Sequence, residues 1–313
     1  MKKLYKAFIF MVLLSVPAML SGQPYVDLLS IQKNWYNNTT YKNDPNASLD
    51  HALTNVSLLL PYVFKNGNKL IFGLDYLENS FRYKSDTSFH TYLEMQTIAA
   101  GFIKKWKGTP WTTTFMVLPH IAAALKYAES SDYQLGCMGM LTYKKRNSLK
   151  FKFGLYYNPE FYGNNFKPLL GIDWKITDRL YMFGVLPGSM NFEYRLSDRF
   201  FTGLAYRNNT FTYHVNNGPK DIYILDGNFD LGNNHLYTFI HAYLTKNLVI
   251  YAGAGITLFH YYQLYNDDNE KLTKSNITYK VYNEVRDGAF FQLGAAFRLR
   301  LDKDYAESSE KQL

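Results

Sequence analysis

Seven histidines, His51, His90, His120, His214, His235, His241 and His260, are the residues of this chain best suited to proton transfer or metal binding, because an unperturbed imidazole titrates near neutrality. Their spacing assembles no site. The sequence holds no His-Glu-x-x-His pair for zinc and no Gly-x-Ser-x-Gly elbow for a nucleophile. A hydrolase built on strands needs a His beside a Ser on adjacent strands. His241 and His260 flank the turn at Thr245, but one is expected low on its strand and the other high. The histidines are therefore read as interface or loop residues. Cys137 is the single cysteine, which excludes a disulfide framework and a multi-cysteine metal centre. It shares an apolar face with Leu135 and Leu141 and reads as a small hydrophobe with no base beside it. Lys104, Lys105 and Lys107, and Lys144, Lys145 and Arg146, cluster at short turns, where polar residues belong in any case.

What the remaining polar residues share is a period of two. In Gly288 to Leu301 the odd positions carry Ala289, Phe291, Leu293, Ala295, Phe297, Leu299 and Leu301, while the even ones are small, polar or aromatic. Leu70, Phe72, Leu74 and Tyr76 likewise oppose Gly73 and Asp75; Leu149, Phe151, Phe153 and Leu155 oppose Lys150, Lys152 and Gly154. Leu170, Ile172 and Trp174 oppose Asp173 and Lys175, and Met190, Phe192 and Tyr194 oppose Glu193 and Arg195. These are amphipathic strands. Asp75, Lys150, Lys152, Asp173, Lys175, Glu193, Arg195, Arg207, Gln292 and Arg298 all take the face opposite the apolar one. Their mixed signs predict cross-strand pairing, with Asp173 beside Lys150 and Lys152 and Glu193 beside Arg195, over a filter of one sign.

Fourteen candidate strands fall near 25–36, 49–64, 69–83, 90–105, 111–126, 132–144, 149–157, 168–177, 179–186, 190–197, 200–213, 235–245, 248–263 and 287–301. Asp221 to Leu231 is open as an extra strand or a folded loop, so twelve or sixteen strands are the alternatives. Pro119 within the fifth segment predicts a bulge or an irregular rim. Short turns punctuate one side, among them Asn66-Gly67 and a repeated device at Ile176–Leu180, Leu196–Phe200 and Leu244–Leu248, in which Thr or Ser and two polar residues separate apolar runs. The opposite connections read as longer polar loops, as at Tyr36 to Ser48, Lys84 to His90, Asn158 to Lys167, His214 to Lys220 and Asn266 to Asp287. That asymmetry, with Tyr and Trp near strand ends at Trp35, Tyr36, Tyr62, Trp106, Trp111, Tyr156, Tyr157, Tyr261 and Tyr262, predicts an all-β, transmembrane, antiparallel up-and-down barrel.

Composition and ends agree with this reading. Of 313 residues 19% are charged and 18% aromatic, too aromatic for a disordered chain. Lys2, Lys3 and Lys6 precede an apolar stretch from Ala7 to Leu20 that ends in Ser21 and Gly22, a secretory signal over 1–22. About 14 apolar residues fall short of a membrane-spanning helix. Without those three lysines, 34 basic residues become 31 against 26 acidic ones, a net +5, and no nucleic-acid partner is expected of an exported chain so weakly basic. The barrel is assigned to 23–301 and a polar tail to 302–313.

The stretch Leu169 to Tyr213, with GIDWKITDRL at Gly171–Leu180 and FEYRLSDRF at Phe192–Phe200, together with Ala242 to Gly255, resembles the outer-membrane β-barrels of domain of unknown function 6268. The resemblance covers mainly the second half and implies a Gram-negative outer membrane of the Bacteroidota type, with no catalytic residue. The chain departs from the usual aromatic barrel ending in its polar tail, unless Phe297 to Leu301 serves as an internal signal. The expected partners are outer-membrane lipids and the barrel-assembly machinery, with an unassigned small solute and no cofactor or metal. The reading is a non-enzymatic barrel, a narrow small-solute channel or a structural or binding module. A barrel hydrolase acting on lipid or lipopolysaccharide and a secreted β-sandwich are the alternatives. The mature chain should fractionate with the outer membrane and migrate differently on gels with and without heating; recovery from the soluble periplasm overturns this.

Overall fold

The computed structural model describes residues 24–42, 44–84, 88–123, 128–161, 163–216, 226–265 and 285–301. The signal segment, the tail and most of Asn266 to Asp287 lie outside the described residues. Fourteen strands run in chain order: β1 Tyr25–Tyr41, β2 Asp44–Val63, β3 Lys69–Lys84, β4 Ser88–Lys105, β5 Trp111–Ala123, β6 Tyr133–Arg146, β7 Leu149–Glu160, β8 Gly163–Lys175, β9 Leu180–Leu186, β10 Ser189–Arg195, β11 Phe200–Asn216, β12 Asp226–Tyr243, β13 Leu248–Tyr265 and β14 Ala289–Arg300. Each pairs with its chain neighbours, and β1 closes on β14 from Tyr25↔Arg300 to Asn37↔Ala289. One closed antiparallel ring of fourteen excludes the β-sandwich.

The predicted turn repeat has one physical cause. In each copy the first hydroxyl accepts two backbone N–H groups: Thr177 Oγ1 from Arg179 and Leu180, Ser197 Oγ from Arg199 and Phe200, and Thr245 Oγ1 from Asn247 and Leu248, all at 3.0–3.3 Å. The flanking apolar residue then closes the hairpin, as Ile176 N–H donates to Leu180 O at 2.9 Å.

Several expectations are corrected. The polar segments read as long loops are largely wall: β1 runs to Tyr41 and β2 restarts at Asp44, β4 starts at Ser88, and β7 and β8 meet across Glu160↔Gly163. Above the membrane a strand needs no alternation, because pairing satisfies the backbone whatever the side chains are, so the period-two signal ends before the strand does. Asp226 to Leu231, part of the segment left open, is the upper part of β12, paired with β11 through Asn216↔Asp226. Around Pro119 the β4–β5 pairing lapses between Thr97↔His120 and Ala100↔Val117 without a register shift, so the missing N–H is absorbed with no bulge.

Alternation along β14 sorts the two faces: Phe290 is 0% exposed and Phe291 44%. Leu70, Phe72 and Leu74 on β3, Phe153 and Leu155 on β7, and Leu293 and Phe297 on β14 all stand outward and exposed. So continuous an apolar outer belt is a lipid-facing surface, since in water it would drive aggregation. Tyr62, Trp106 and Trp111 are exposed at the short-turn end, where a girdle belongs. Tyr36, expected in that girdle, instead points inward and is buried.

The ring is not equally tall. β9 and β10 have seven residues each, while β2, β4, β12 and β13 have eighteen to twenty. Beyond the short strands β11 reaches β5, forming a parallel bridge at His214↔Ala123. The contact is tied by His214 Nδ1 to Asp132 Oδ1 at 2.6 Å and by Thr212 to Glu160. The wall thus folds in on itself on the long-strand side.

Because Leu74 faces out and Asp75 in, Leu74→Arg should lower folding stability in lipid vesicles by about 2–4 kcal/mol. Asp75→Asn should lower it by less than about 1 kcal/mol. Urea titration of the heat-modifiable folded band is the measurement, and equal losses at both positions overturn the assignment of the faces.

Candidate functional site

The interior is filled at two heights. In the upper layer the rings of Tyr36 on β1 and His51 on β2 stack at 4.5 Å, and His51 stacks on Phe81 of β3 at 4.7 Å. His235 on β12 stacks on Phe290 of β14 at 4.2 Å. Leu53, Leu77, Ala205, Tyr237 and Phe239 fill the spaces between them. A polar thread crosses the same layer from wall to wall. His51 Nε2 lies 2.7 Å from Asn79 Oδ1, and Asn79 Nδ2 donates to Tyr213 Oη on β11 at 2.5 Å. These side chains sit flush because glycines on neighbouring strands receive the rings: a Cβ at Gly253 would lie 2.8 Å from the Tyr237 ring, and one at Gly294 would collide with Tyr251. The Gly and Tyr of the inward face are thus complementary parts of one packing scheme.

The lower layer is ionic. Arg298 on β14 holds Asp27 on β1 in a two-pronged pair, Nε to Oδ1 at 2.5 Å and Nη2 to Oδ2 at 3.1 Å, and its guanidinium lies 3.4 Å over the Tyr25 ring. Its Nη1 sits 3.2 Å from His241 Nδ1 and 3.5 Å from Tyr243 Oη. Glu193 on β10, fully buried, accepts from Tyr25 Oη at 3.0 Å and lies 3.4 Å from His241 Nδ1. Four strands, β1, β10, β12 and β14, are bridged through the lumen by these six side chains.

The other sequence-selected residues fall as follows. Lys152 pairs with Asp173 at 2.7 Å, both largely buried. Asp75 is exposed to the interior and accepts from Asn55 Nδ2 at 2.6 Å and Ser57 Oγ at 3.1 Å. Arg207 Nη2 donates to Asn191 at 2.8 Å, and Gln292 Nε2 to Gln32 and Asn34 at 3.3 and 3.2 Å. Glu193 and Arg195 do not pair with each other: Arg195 turns to Asp198 of its own hairpin at 3.9 Å. Lys175 reaches Asp178 at 2.8 Å, and that hydrogen bond holds the Asp178 carboxyl below its ordinary value. Lys150 feels the charges of Lys105 and Lys144 as well as that of Asp173, and Lys105 acts on Lys69. Lys69, Lys105, Lys144 and Lys150 all stand near the short turns, at the ends or starts of β3, β4, β6 and β7.

The histidines required the largest correction. His51, His120, His235 and His241 are buried, not interfacial or in loops. Each stands at an inward position of an alternating strand, and that parity was the available signal; their partners, distant in sequence, gave none. His120 lies 2.6 Å from Gln134 across β5 and β6. His90 stands on the outer face, where its Nε2 lies 2.8 Å from Ser80 Oγ on β3. This Ser-His pair on adjacent strands was not selected from the sequence, because the β3–β4 register that brings the two together was not read there. Among the described residues no cluster of His, Cys, Asp or Glu is arranged to hold a metal.

A family model described as "Domain of unknown function (DUF6268)" matches residues 70–298. No curated protein matches. Solved structures similar to the chain include the NanC porin, 10% identical with a TM-score of 0.37 over 87% of this chain and 100% of that one. The KdgM porin in complex with disordered oligogalacturonate is 10% identical, with a TM-score of 0.34 over 86% and 98%. Outer membrane phospholipase A from Escherichia coli is 13% identical, with a TM-score of 0.34 over 87% and 90%.

Arg298 is buried and makes two charged hydrogen bonds to the half-buried Asp27, whereas Arg195 pairs with the exposed Asp198. Arg298→Met should therefore destabilise the folded barrel by about 1.5–3 kcal/mol and Arg195→Met by at most about 1 kcal/mol. Urea midpoints in vesicles test the difference, and equal midpoints exclude the lower layer as a structural tie.

Proposed function

The chain belongs to the domain of unknown function 6268 family, and from that premise we propose that it is an exported outer-membrane barrel whose lumen is sealed by its own side chains. It serves as a structural or binding module and passes small solutes at most in a trickle. The observation that carries this reading is the upper layer, where Tyr36, His51, His235, Tyr213 and Phe290 are each 0–1% exposed. A barrel of this width is water-filled unless something occupies it. These side chains are covered by inward neighbours, and Asn79 of β3 bonds Tyr213 of β11 across the lumen, which supports a filled interior.

The location rests on the lipid-type outer belt, the short turns at one rim and the signal-like N-terminus. Outer-membrane lipids are the standing partners and the barrel-assembly machinery the transient one. The lysines gathered near the short turns, Lys69, Lys105, Lys144 and Lys150, favour anions over cations as whatever enters from that side.

In planar bilayers the purified protein should show conductance steps far below those of an open general porin. The combined substitution Tyr36→Ala, His51→Ala and Phe290→Ala should raise them severalfold, heat-modifiable migration establishing that this variant has folded. Wild-type currents of open-porin size overturn the sealed lumen.

A further inference from the structure

We propose that Ser80 and His90 form an ester-cleaving pair on the lipid-facing side of the barrel, acting on fatty acyl esters of outer-leaflet lipids, with Tyr92 as a positioning residue. The site lies on the wall opposite the sealed interior and is independent of it.

Three observations converge on it. The first is geometry: Ser80 pairs in register with Tyr92, and Arg82 with His90, so Ser80 and His90 are diagonal neighbours on β3 and β4. The Ser80 Oγ to His90 Nε2 separation of 2.8 Å is the nucleophile–base distance that activates a hydroxyl. On the far side of the ring, His90 Nδ1 lies 3.3 Å from Tyr92 Oη. With Nδ1–H donating to that oxygen, the Nε2 lone pair is left to receive the Ser80 proton.

The second is facing. Asn79, Phe81 and Leu93 are buried in the interior, so Ser80, His90 and Tyr92, one residue out of step with them, project outward. His90 and Tyr92 are exposed.

Height is the third. A strand tilted by about 40° climbs roughly 2.5 Å per residue, and the apolar band of an outer-membrane barrel is about 25 Å tall. On β3 the outward residues run Leu70, Phe72 and Leu74, all exposed and apolar, then Tyr76 and Glu78, so the apolar band ends just below Ser80. Tyr92, directly across from it, is the amphipathic ring expected at that boundary. Acyl ester carbonyls occupy the boundary between hydrocarbon and headgroup just below the hydroxyl, and motion of a lipid along the bilayer normal brings its ester up to that level.

The chemistry balances without a cofactor. Ser80 Oγ forms a bond to the ester carbonyl carbon as its proton passes to His90 Nε2. Arg82, opposite His90 in register on the same outer face, is the cation that would stabilise the oxygen that gains charge. The acyl–oxygen bond of the lipid then breaks, and the departing alcohol takes the proton from His90. Water, deprotonated by the same imidazole, hydrolyses the acyl-serine to release a fatty acid and restore the hydroxyl.

The full chain, refolded into vesicles, is to be assayed for fatty acid release and for labelling by a fluorophosphonate. Phospholipid vesicles and vesicles containing lipopolysaccharide separate the two ester sources. The expected result is release that falls at least about 100-fold in Ser80→Ala and His90→Gln, with the label found on Ser80 by peptide mass. Release from phospholipid alone assigns the glycerol ester, and release only with lipopolysaccharide assigns the acyl-sugar ester. Tyr92→Phe should lower kcat with KM unchanged, the split expected of a group that orients the base. An unlabelled Ser80 in folded wild-type protein, or release from folded Ser80→Ala equal to wild type, overturns the proposal.

Discussion

A backbone amide in hydrocarbon has no water to pair with, and a sheet can satisfy every such group only by closing on itself. The rest of this molecule depends on that constraint. Closure through β1 and β14 abolishes the edges, and a closed wall has only two faces. Side chains on it alternate between lipid and interior with no third choice, so polar residues within the bilayer height collect on the inward face whether or not the interior has a use for them, while Lys33, outward and in register with Leu293, is an exposed exception. Asp27, Asn34, His51, Glu193, His235 and Arg298 all occupy such positions. Once inside, they must find partners across the lumen or hold water.

The partners found here differ between the two layers for a reason of scale. Tyr, His and Phe rings fill volume, and on glycine-floored strands they lie low enough to meet the rings of nearby strands, so the upper layer is held by packing. In the lower layer Arg298 brings its long side chain to Asp27 in two parallel hydrogen bonds, and its plane covers Tyr25. A bidentate guanidinium with an aromatic face beneath it is held in a single geometry, which a lysine at the same position could not provide. The barrel wall supplies the backbone hydrogen bonds; these two layers fix its cross-section.

Local features of the sequence translated directly into structure and non-local ones did not. The strand number, the turn repeat at Thr177, Ser197 and Thr245, and the odd-even split of β14 depend on residues within a few positions of one another. Asp27 and Arg298 stand 271 residues apart, and nothing near either announces the other. Glu193 shows the limit from the opposite side: its neighbour in sequence, Arg195, has the complementary charge, yet the hairpin offers Arg195 a nearer partner in Asp198 while Glu193 faces Tyr25 and His241 across the lumen. Period-two reading also ended strands too early, because its signal comes from the bilayer and the upper wall continues beyond it.

The same geometry separates what the inside and the outside of this barrel can do. Interior polar groups are largely committed to one another, and such a buried group left unpaired costs about 1–3 kcal/mol. Outward polar groups pair in the presence of water, as Ser80 does with His90, and lose less when they part. Above the apolar belt, β3 and β4 continue as paired strands whose outer face is wet, and there Glu78 stands opposite Glu94, Ser80 opposite Tyr92 and Arg82 opposite His90. A rigid sheet holds these side chains in fixed register at the level where lipid headgroups begin, with the backbone already satisfied and no pore to maintain. Side-chain pairing on this fold is therefore least constrained on the outer rim of its tall strands, where a hydrogen bond such as that between Ser80 and His90 is set by strand register alone.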